Sequence, residues 1–314
     1  MRSTNLTFHP NKALALFLSF FISLTLFSCE EEEDDVVQIQ DQTIAQQLSN
    51  SENYIILTAG LTKAVLLETL NAMDQNFTLL APPDVAFINA GISDPEAYTE
   101  EEWRDILLYH LVGEEVPFSS LVDEDEVETE NGMVYISPFN NNVVFNGRAS
   151  IIETNLGAAN GLIHTIDNVL LPPQREVSDI ISDRDDLTTL QAAIERLNLA
   201  GELSQNVPYT IFAPSDEAFE ELLNTLGAGG LSEIPDGQLA EILQYHVVSN
   251  RIFSFDLEEG NVNTLLGEPF VVSFDNGVII TDGSDVTQNS EVQEANILGT
   301  NGVVHIIDEV LLPE

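Results

Sequence analysis

The sequence predicts an α+β fold that is present twice, in two consecutive domains of the same design. Three blocks of residues recur in the same order, displaced by 132, 136 and 141 positions. The blocks pair 78–87 with 210–219, 106–112 with 242–248, and 160–172 with 301–313. Six of ten residues are identical in the first pair and five of seven in the second. Because solenoid repeats have periods of about 20–50 residues, a period this long indicates a duplicated domain.

Each copy begins with the periodicity of helices that bury one face. In 187–197, leucine and isoleucine recur at three- and four-residue spacing, which favours a helix. A short apolar strand then leads into an Ala-Pro pair and a second helix, which Ser215 is placed to cap. Pro83 holds the same place in the first copy, where it suits an early helical position but offers no cap oxygen. Thr99 and Glu102 have the spacing of a capping box and predict a further helix.

The C-terminal half of each copy contains strand-like sequences rich in valine, isoleucine and phenylalanine. They are 133–136 and 142–145 in the first copy and 270–274 and 278–281 in the second. The sequence Asp-Asn-Gly at 275–277 predicts a tight turn between the last two. Helices followed by strands predict the α+β class, with an antiparallel sheet.

We place the two domains at 40–173 and 176–314. About 280 residues follow the N-terminal segments, which is the usual length of two domains. The junction contains Pro172 and Pro173, and prolines make a short linker semi-rigid. We therefore expect the two domains to be held in a restricted relative pose.

Residues 1–28 have the composition of an export signal. Arg2 and Lys12 supply positive charge, and 13–27 is a nearly unbroken apolar run of 15 residues, shorter than the roughly 20 that a spanning helix needs. The run leads to Cys29 in a pattern that resembles bacterial lipoprotein signals, which are cleaved before a cysteine that then carries lipid. We expect lipidation at Cys29, the alternative being a lone cysteine inside a signal peptide or anchor. Since the chain has no other cysteine, no disulfide framework is predicted.

Residues 29–39 form the predicted link between the lipid and the first domain. Six carboxylates in a row, at 30–35, repel one another and cannot form a core. Two compatible interpretations stay open. The run is a solvated spacer, or it is a sorting tag like those that some Gram-negative lineages place after the cysteine of surface-exposed lipoproteins.

The charge of the chain excludes one class of partner. Removal of 1–28 leaves 53 acidic residues and 7 basic ones (9 less Arg2 and Lys12), a net charge of −46. Affinity for nucleic acid depends on lysine and arginine that neutralise phosphates, so no nucleic-acid partner is predicted. The excess of carboxylates fits a salty habitat, or partners rich in divalent cations.

Three motifs occur together, in order, in both copies: Ala-Pro-x-Asp-x-Ala-Phe, a Tyr-His pair, and Asn-Gly-x-x-His-x-Ile-Asp-x-Val-Leu-Leu-Pro. This combination resembles the fasciclin domain family, and the resemblance covers nearly everything after the tether. It implies a wedge-like β-sandwich with helices packed around it. It also implies cell adhesion or binding to the extracellular matrix, and no enzymatic activity.

Each domain carries two histidines at matching positions, His110 and His164 in the first and His246 and His305 in the second. A zinc site needs convergent geometry and usually a third protein donor, and the sequence contains no HxxxH or HExxH spacing. Because all four histidines stand among apolar residues, we expect hydrogen-bonded structural histidines and no metal site.

The resemblance gives the Tyr-His pairs a second interpretation. In the family this segment has been linked to adhesion through receptor binding, and Tyr109 with His110 and Tyr245 with His246 fit that motif. The alternative, which we favour, is that the segment is buried and serves folding.

A hydrolase would combine Ser215 with His246 or His305 and with Asp216 or Asp308. No G-x-S-x-G elbow surrounds Ser215, as a nucleophile of the α/β-hydrolase type would require. Its predicted role as a helix cap accounts for this serine, so we assign no catalytic residue and no enzyme activity.

Two other groups of acidic residues have structural interpretations. Asp84 and Asp216 stand in the first turn of a predicted helix, where the helix dipole favours a negative charge. The acidic sequences at 123–126 and 282–285 lack the alternate donors and distal glutamate of an EF-hand. We expect at most weak calcium binding there, and no cofactor.

The expected function is adhesion by an outer-membrane, lipid-anchored protein at the cell surface. Its partners would be extracellular matrix, polysaccharide or a cell-surface protein. Two alternatives stay open: a glycan-capturing surface lipoprotein of a nutrient uptake system, and a scaffold on the periplasmic face. A single tryptophan, Trp103, lies in a predicted core helix, which counts against a sugar-binding face built on aromatic rings.

Overall fold

A computed structural model describes residues 41–203, 207–275, 277–284 and 286–314. The predicted export signal, Cys29 and the acidic run lie outside the described residues. Within the described part of the chain, none of the helices has both the length and the apolar character that a membrane crossing requires.

The first copy, domain 1, alternates short helices and strands before it forms a meander of strands. Its α-helices are α1 (Ile44–Ser49), α2 (Ile55–Lys63), α3 (Asp84–Asn89), α4 (Glu100–Leu108) and α5 (Phe118–Leu121). Its strands are β1 (Phe77–Ala81), β2 (Leu111–Val112), β3 (Glu126–Thr129), β4 (Gly132–Phe139), β5 (Asn142–Phe145), β6 (Ala149–Ala158) and β7 (Gly161–Ile166). Single 3-10 turns occur at Thr69–Asn71 and Pro95–Ala97. The strands predicted at 133–136 and 142–145 are confirmed as parts of β4 and β5.

The second copy, domain 2, repeats this order. Its α-helices are α6 (Val177–Ser182), α7 (Thr188–Arg196), α8 (Ala200–Leu203), α9 (Asp216–Leu226) and α10 (Asp236–Tyr245), with a 3-10 turn at Leu231–Glu233. Its strands are β8 (Tyr209–Pro214), β9 (Val247–Val248), β10 (Gly260–Asn263), β11 (Pro269–Phe274), β12 (Val278–Thr281), β13 (Ser290–Gly299) and β14 (Gly302–Ile307). The hairpin of β11 and β12 confirms the two predicted strands, and Asn276 at its turn lies outside the described residues.

The predicted helix starts are confirmed by their caps. The Thr99 side chain accepts a hydrogen bond from the Glu102 N–H, and the Glu102 carboxylate accepts one from the Thr99 N–H, so α4 begins with a capping box. The Ser215 hydroxyl accepts from the backbone N–H of Ala218 and caps α9. Pro83 is the cap residue of α3 and makes no side-chain cap bond. Local sequence therefore determines where these helices begin.

The α+β class is confirmed, but the expectation of a purely antiparallel sheet is wrong at one place in each domain. The described strands follow the order β2-β1-β7-β6-β5-β4-β3 in domain 1 and β10-β11-β12-β13-β14-β8-β9 in domain 2. The pairs β1/β7 and β8/β14 are parallel, and the others are antiparallel. The last strand of each domain thus lies beside the strand that ends at the Ala-Pro pair.

A glycine permits this parallel pairing at close range. Gly161 has a φ of +140°, and a Cβ built on it would lie 1.9 Å from the carbonyl oxygen of Phe77. In domain 2, a Cβ on Gly302 would lie 2.2 Å from the carbonyl oxygen of Tyr209. Only a residue without a side chain fits at either position.

Each domain has two hydrophobic clusters, separated by the parallel strands. Successive side chains of a strand point to opposite faces. Leu79 on β1 accordingly joins Trp103 and the helices, whereas Leu80 joins Phe145 and the strand meander. Burial of side chains of this size contributes roughly 1.5–3 kcal/mol each. Trp103 is buried, as predicted.

Candidate functional site

The tyrosines of both Tyr-His pairs are buried at the ends of helices α4 and α10. The Tyr109 hydroxyl donates to the carbonyl oxygen of Met133 at 2.9 Å and accepts from Asn146 Nδ2 at 3.0 Å. The Tyr245 hydroxyl donates to the carbonyl oxygen of Pro269 at 3.0 Å. Burial raises the pKa of Tyr109 to about 12. Neither side chain reaches the surface in a way that a receptor could contact.

The histidines of these pairs use both ring nitrogens inside the fold. His110 Nε2 accepts a hydrogen bond from the Leu170 N–H at 2.9 Å, so Nδ1 carries the hydrogen and donates to the Ile106 carbonyl at 2.8 Å. His246 repeats the arrangement, with Nδ1 2.7 Å from the Ile242 carbonyl. Burial lowers the pKa of both rings to about 4. Each ring is therefore neutral and joins the end of a helix to the segment after the last strand.

The other two histidines bind the neighbouring strand where its pairing register shifts. His164 Nδ1 accepts from the Asn155 N–H at 3.2 Å, and its Nε2–H donates to the Val116 carbonyl at 2.9 Å. His305 Nδ1 accepts from the Asn296 N–H at 3.3 Å in the same way. Both asparagines have a positive φ and lie where the register of β6 or β13 shifts. Burial lowers the pKa of both histidines, that of His305 to about 4.

These contacts bear on the metal hypothesis directly. A zinc ligand needs a free ring nitrogen with a lone pair, and every nitrogen of the four described histidines already has a partner inside the fold. Among the residues that the structure describes, no group of three or more candidate ligands converges. The geometry supports structural histidines, which stay a prediction until tested.

The two aspartates bind the start of another helix. The Asp84 carboxylate accepts from the Ile56 N–H of α2 at 2.7 Å. The Asp216 carboxylate accepts from the Thr188 and Thr189 N–H groups of α7, at 3.2 and 2.7 Å. Neither α2 nor α7 has a side-chain cap of its own. The aspartates supply it from α3 and α9, a role that spacing along the sequence did not indicate.

The residues of the hydrolase hypothesis are not assembled as a triad. The Ser215 hydroxyl is a helix cap, and the ring nitrogens of His246 and His305 bond to backbone groups. The Asp308 carboxylate accepts from the Glu291 N–H at 2.6 Å. In the described structure, no serine–histidine or histidine–aspartate hydrogen bond links these residues.

One acidic loop that could attract calcium closes on itself. The Asp282 carboxylate accepts from Ser284 N, from the Thr287 hydroxyl and from Leu312 N, at 3.0, 2.6 and 2.7 Å. Asp285 lies outside the described residues. The Asp282 carboxylate therefore joins its own loop to the segment that follows β14.

Contacts between the two domains were not predicted residue by residue. Asn296 Nδ2 donates to the Gly147 carbonyl of domain 1 at 2.7 Å. The Arg251 guanidinium lies over the Tyr135 ring, 4.0 Å from its centroid, in cation–π geometry. The signal for Asn296 was an asparagine within an otherwise strand-like sequence, since asparagine tolerates a positive φ. These contacts hold the linked domains against each other.

The described geometry defines a duplicated α+β domain with buried Tyr-His and Asn-Gly-His motifs, and the family comparison agrees. The profile of the Fasciclin domain matches residues 52–172 and 185–313. The chain therefore belongs to the fasciclin domain family and contains two of its domains in tandem.

The chain is similar to several proteins of known sequence. It is 30% identical to human periostin over 256 residues, which are 76% of this chain and 28% of periostin. It is 27% identical over 248 residues to the pig transforming growth factor-beta-induced protein ig-h3, covering 76% of this chain and 35% of that protein. A Synechocystis protein, sll1483, is 33% identical over 138 residues, covering 44% of this chain and 73% of its own length. The chain thus spans about a third of the length of these two animal relatives.

The chain is also similar to one solved structure. It is a FAS1 domain pair from the insect cell adhesion molecule fasciclin I, and it covers 82% of this chain and 95% of its own. The sequence identity is 18% and the TM-score is 0.40.

Proposed function

We propose that this protein is a non-catalytic adhesion protein, anchored in the outer membrane by lipid on Cys29 and exposed at the cell surface. The observation that carries the proposal is the presence of two fasciclin domains in one chain, since the family resemblance implies adhesion or matrix binding. Two linked binding domains raise avidity, because the second contact forms at a high effective concentration. Matrix, polysaccharide or a cell-surface protein would be the partner.

The adhesive contact must lie on an exposed face, since both Tyr-His pairs are buried. Domain 1 has a candidate for it where α2 and α3 meet. Ile55, Val85 and Ile88 are each more than half exposed, and Val85 and Ile88 share one face of α3 at i, i+3 spacing. The equivalent positions of domain 2 are polar or acidic: Thr188, Glu217 and Glu220.

Exposed apolar patches rimmed by polar residues mark interaction sites. We name Ile55, Val85 and Ile88 the α2–α3 patch. Its aliphatic side chains suit a protein partner better than a polysaccharide, which is bound mainly through hydroxyl groups. The large negative charge of the chain also disfavours an anionic partner unless divalent cations screen the charge.

Protease shaving of intact cells tests the location, with Cys29→Ala as the unanchored control. Loss of the full-length protein from unbroken cells is expected. Protection until the outer membrane is broken would place the domains in the periplasm and would replace adhesion by scaffolding as the working function.

An exchange between the two domains tests the contact surface. Ile55→Thr, Val85→Glu and Ile88→Glu together give domain 1 the residues of domain 2 and are expected to abolish adhesion to protein-coated surfaces without changing the melting temperature. Leu226→Glu, at an exposed leucine on α9, is the matched control and should adhere normally. Equal adhesion by both variants would remove the patch from the proposal.

A further inference from the structure

Domain 2 contains an apolar pocket that no part of the adhesion proposal uses. The pocket lies among α7, α8, α10 and strands β8 and β9, with a volume of about 270 Å³. Its walls are aliphatic: Leu190, Ile194, Leu199, Leu203, Leu243 and Val247. Clefts lined by apolar groups, with a few polar ones at fixed places, are the usual form of small-molecule sites.

Three polar side chains line the same pocket and have no partner within the described structure. Tyr209, Gln244 and Glu202 line the pocket, and within the described residues no hydrogen bond engages the hydroxyl, amide or carboxylate of these side chains. His246 also lines it, but both of its ring nitrogens bond to backbone groups. The pocket thus offers hydrogen-bonding groups to a ligand at Tyr209 and Gln244, beside a negative charge at Glu202.

The same positions of domain 1 are packed. Leu57, Leu61, Leu66 and Leu70 are each no more than 3% exposed. They match Leu190, Ile194, Leu199 and Leu203, of which Leu190 and Ile194 are also buried. Leu199 and Leu203 are only partly buried, and Leu265 at the edge of the domain 2 pocket is 48% exposed. At three positions the side chain of domain 2 is smaller or more polar than its equivalent in domain 1. Tyr209 stands in place of Phe77, Gln244 in place of Leu108, and Val247 in place of Leu111. The third and fourth of these apolar positions are therefore more fully buried in domain 1 than in domain 2.

We propose that this pocket binds a small neutral molecule with an apolar body about the size of two fused rings and one hydrogen-bonding end. The size follows from volume, because an apolar cavity of about 150 Å³ holds benzene. The apolar side chains that line an empty pocket lack dispersion contacts on one side, and a bound ligand would supply those contacts. The hydrogen-bonding end lies at Tyr209 and Gln244. Glu202 and the net charge of −44 disfavour an anion.

Three naphthalene compounds test the proposal on the exported two-domain chain. 2-Naphthol carries the neutral hydroxyl, naphthalene lacks it, and 2-naphthalenesulfonate is anionic. Calorimetric or fluorescence titration should show one 2-naphthol per chain, bound at least about tenfold more tightly than the sulfonate. No binding of 2-naphthol, or binding of the sulfonate with equal affinity, would overturn the proposal.

Two substitutions locate the site. Val247→Phe fills the pocket and should weaken 2-naphthol binding at least tenfold, whereas Leu226→Phe, outside the pocket, should leave it unchanged. Tyr209→Phe removes a single neutral hydrogen bond and should weaken 2-naphthol about fivefold while leaving naphthalene unaffected. Binding that survives Val247→Phe would place the ligand elsewhere.

Melting curves show whether each variant is folded, so that lost binding is not mistaken for lost structure. If Val247→Phe does not fold, the double variant Gln244→Leu with Val247→Leu replaces it, since these are the residues that domain 1 packs at the same positions. That variant should fold, fill the pocket in part and weaken 2-naphthol. Unchanged affinity in a folded double variant would also overturn the proposal.

Discussion

The Nε2 atom of His246 accepts a hydrogen bond from the backbone N–H of Leu311, 2.9 Å away and 65 residues further along the chain. The bond joins the end of α10 to the segment that follows β14. His110 and Leu170 form the same bond in domain 1, also at 2.9 Å. In each domain, one buried histidine thus joins the end of a helix to the segment after the last strand.

We expect His246→Ala to destabilise domain 2. The substitution leaves the N–H of Leu311 and the carbonyl of Ile242 buried without their partner, at a cost of roughly 1–3 kcal/mol. Thermal unfolding should show a melting temperature lower by several degrees. An unchanged melting curve together with lost adhesion would instead show that the Tyr-His pair contacts the adhesion partner.

Acid is expected to weaken the fold through the same rings. The pKa of His110, His246 and His305 is about 4 in the folded chain, against about 6.5 when unfolded. Between these values the unfolded chain binds more protons, so stability is full above about pH 6.5 and falls as the pH is lowered toward 4.

Comparison with His246→Gln isolates this effect from the many carboxylates, which both proteins share. The stability advantage of the native chain should shrink by on the order of 3 kcal/mol between pH 7 and pH 4. Urea unfolding at several pH values measures it. A difference that does not change with pH would show that the ring of His246 is hydrated in solution.

A comparison of Asn296 with its domain 1 equivalent, Asn155, tests the hydrogen bond between the two domains. Asn296 Oδ1 accepts from the Ser254 N–H, and its Nδ2 donates to the Gly147 carbonyl and to the Ser254 hydroxyl. Asn155 Oδ1 accepts from the Phe118 N–H, but its Nδ2 is buried without a partner. We expect Asn296→Ala to cost about 1–2 kcal/mol more than Asn155→Ala, because two further bonds are lost.

Alanine at a positive φ is strained to a similar degree in both variants, so this penalty cancels. Small-angle scattering should show a larger radius of gyration for Asn296→Ala alone. Equal stability and equal size of the two variants would contradict a role of Asn296 between the domains.

We expect Ser215→Ala to act on stability alone. The loss of the cap of α9 should cost about 1 kcal/mol, and Ser215→Asp should restore most of it because aspartate also accepts from the helix N–H groups. Chemical unfolding of the three proteins measures the effect. A hydrolytic activity that disappears in both variants, while both remain folded, would revive the enzyme hypothesis.

Local features of the fold could be predicted from the sequence. The caps at Thr99 and Ser215 and the hairpin of β11 and β12 depend on residues a few positions apart. The pairing of β1 with β7 depends on residues more than 80 positions apart, and nothing in the pattern of either strand specifies its neighbour. The prediction of an antiparallel sheet failed for this reason.

The candidate site divides in the same way. Burial of His110 could be inferred from its apolar neighbours, but its partners at Ile106 and Leu170 required the tertiary structure. Asp84 lies in the first turn of its own helix, as expected, and its carboxylate also binds the N–H of Ile56 on another helix. Side-chain bonds across the fold are not encoded in spacing.

The position of β7 has a consequence for how the chain reaches its native state. β7 lies between β1 and β6, so a fragment that stops before Gly161 leaves β1 joined only to the two-residue strand β2. Pairing of strands so far apart in sequence is slow, because the chain loses loop-closure entropy before the strand contacts stabilise it. The first strand of domain 2, β8, depends on β14 in the same way, so in both domains the final strand connects the N-terminal strand to the antiparallel meander.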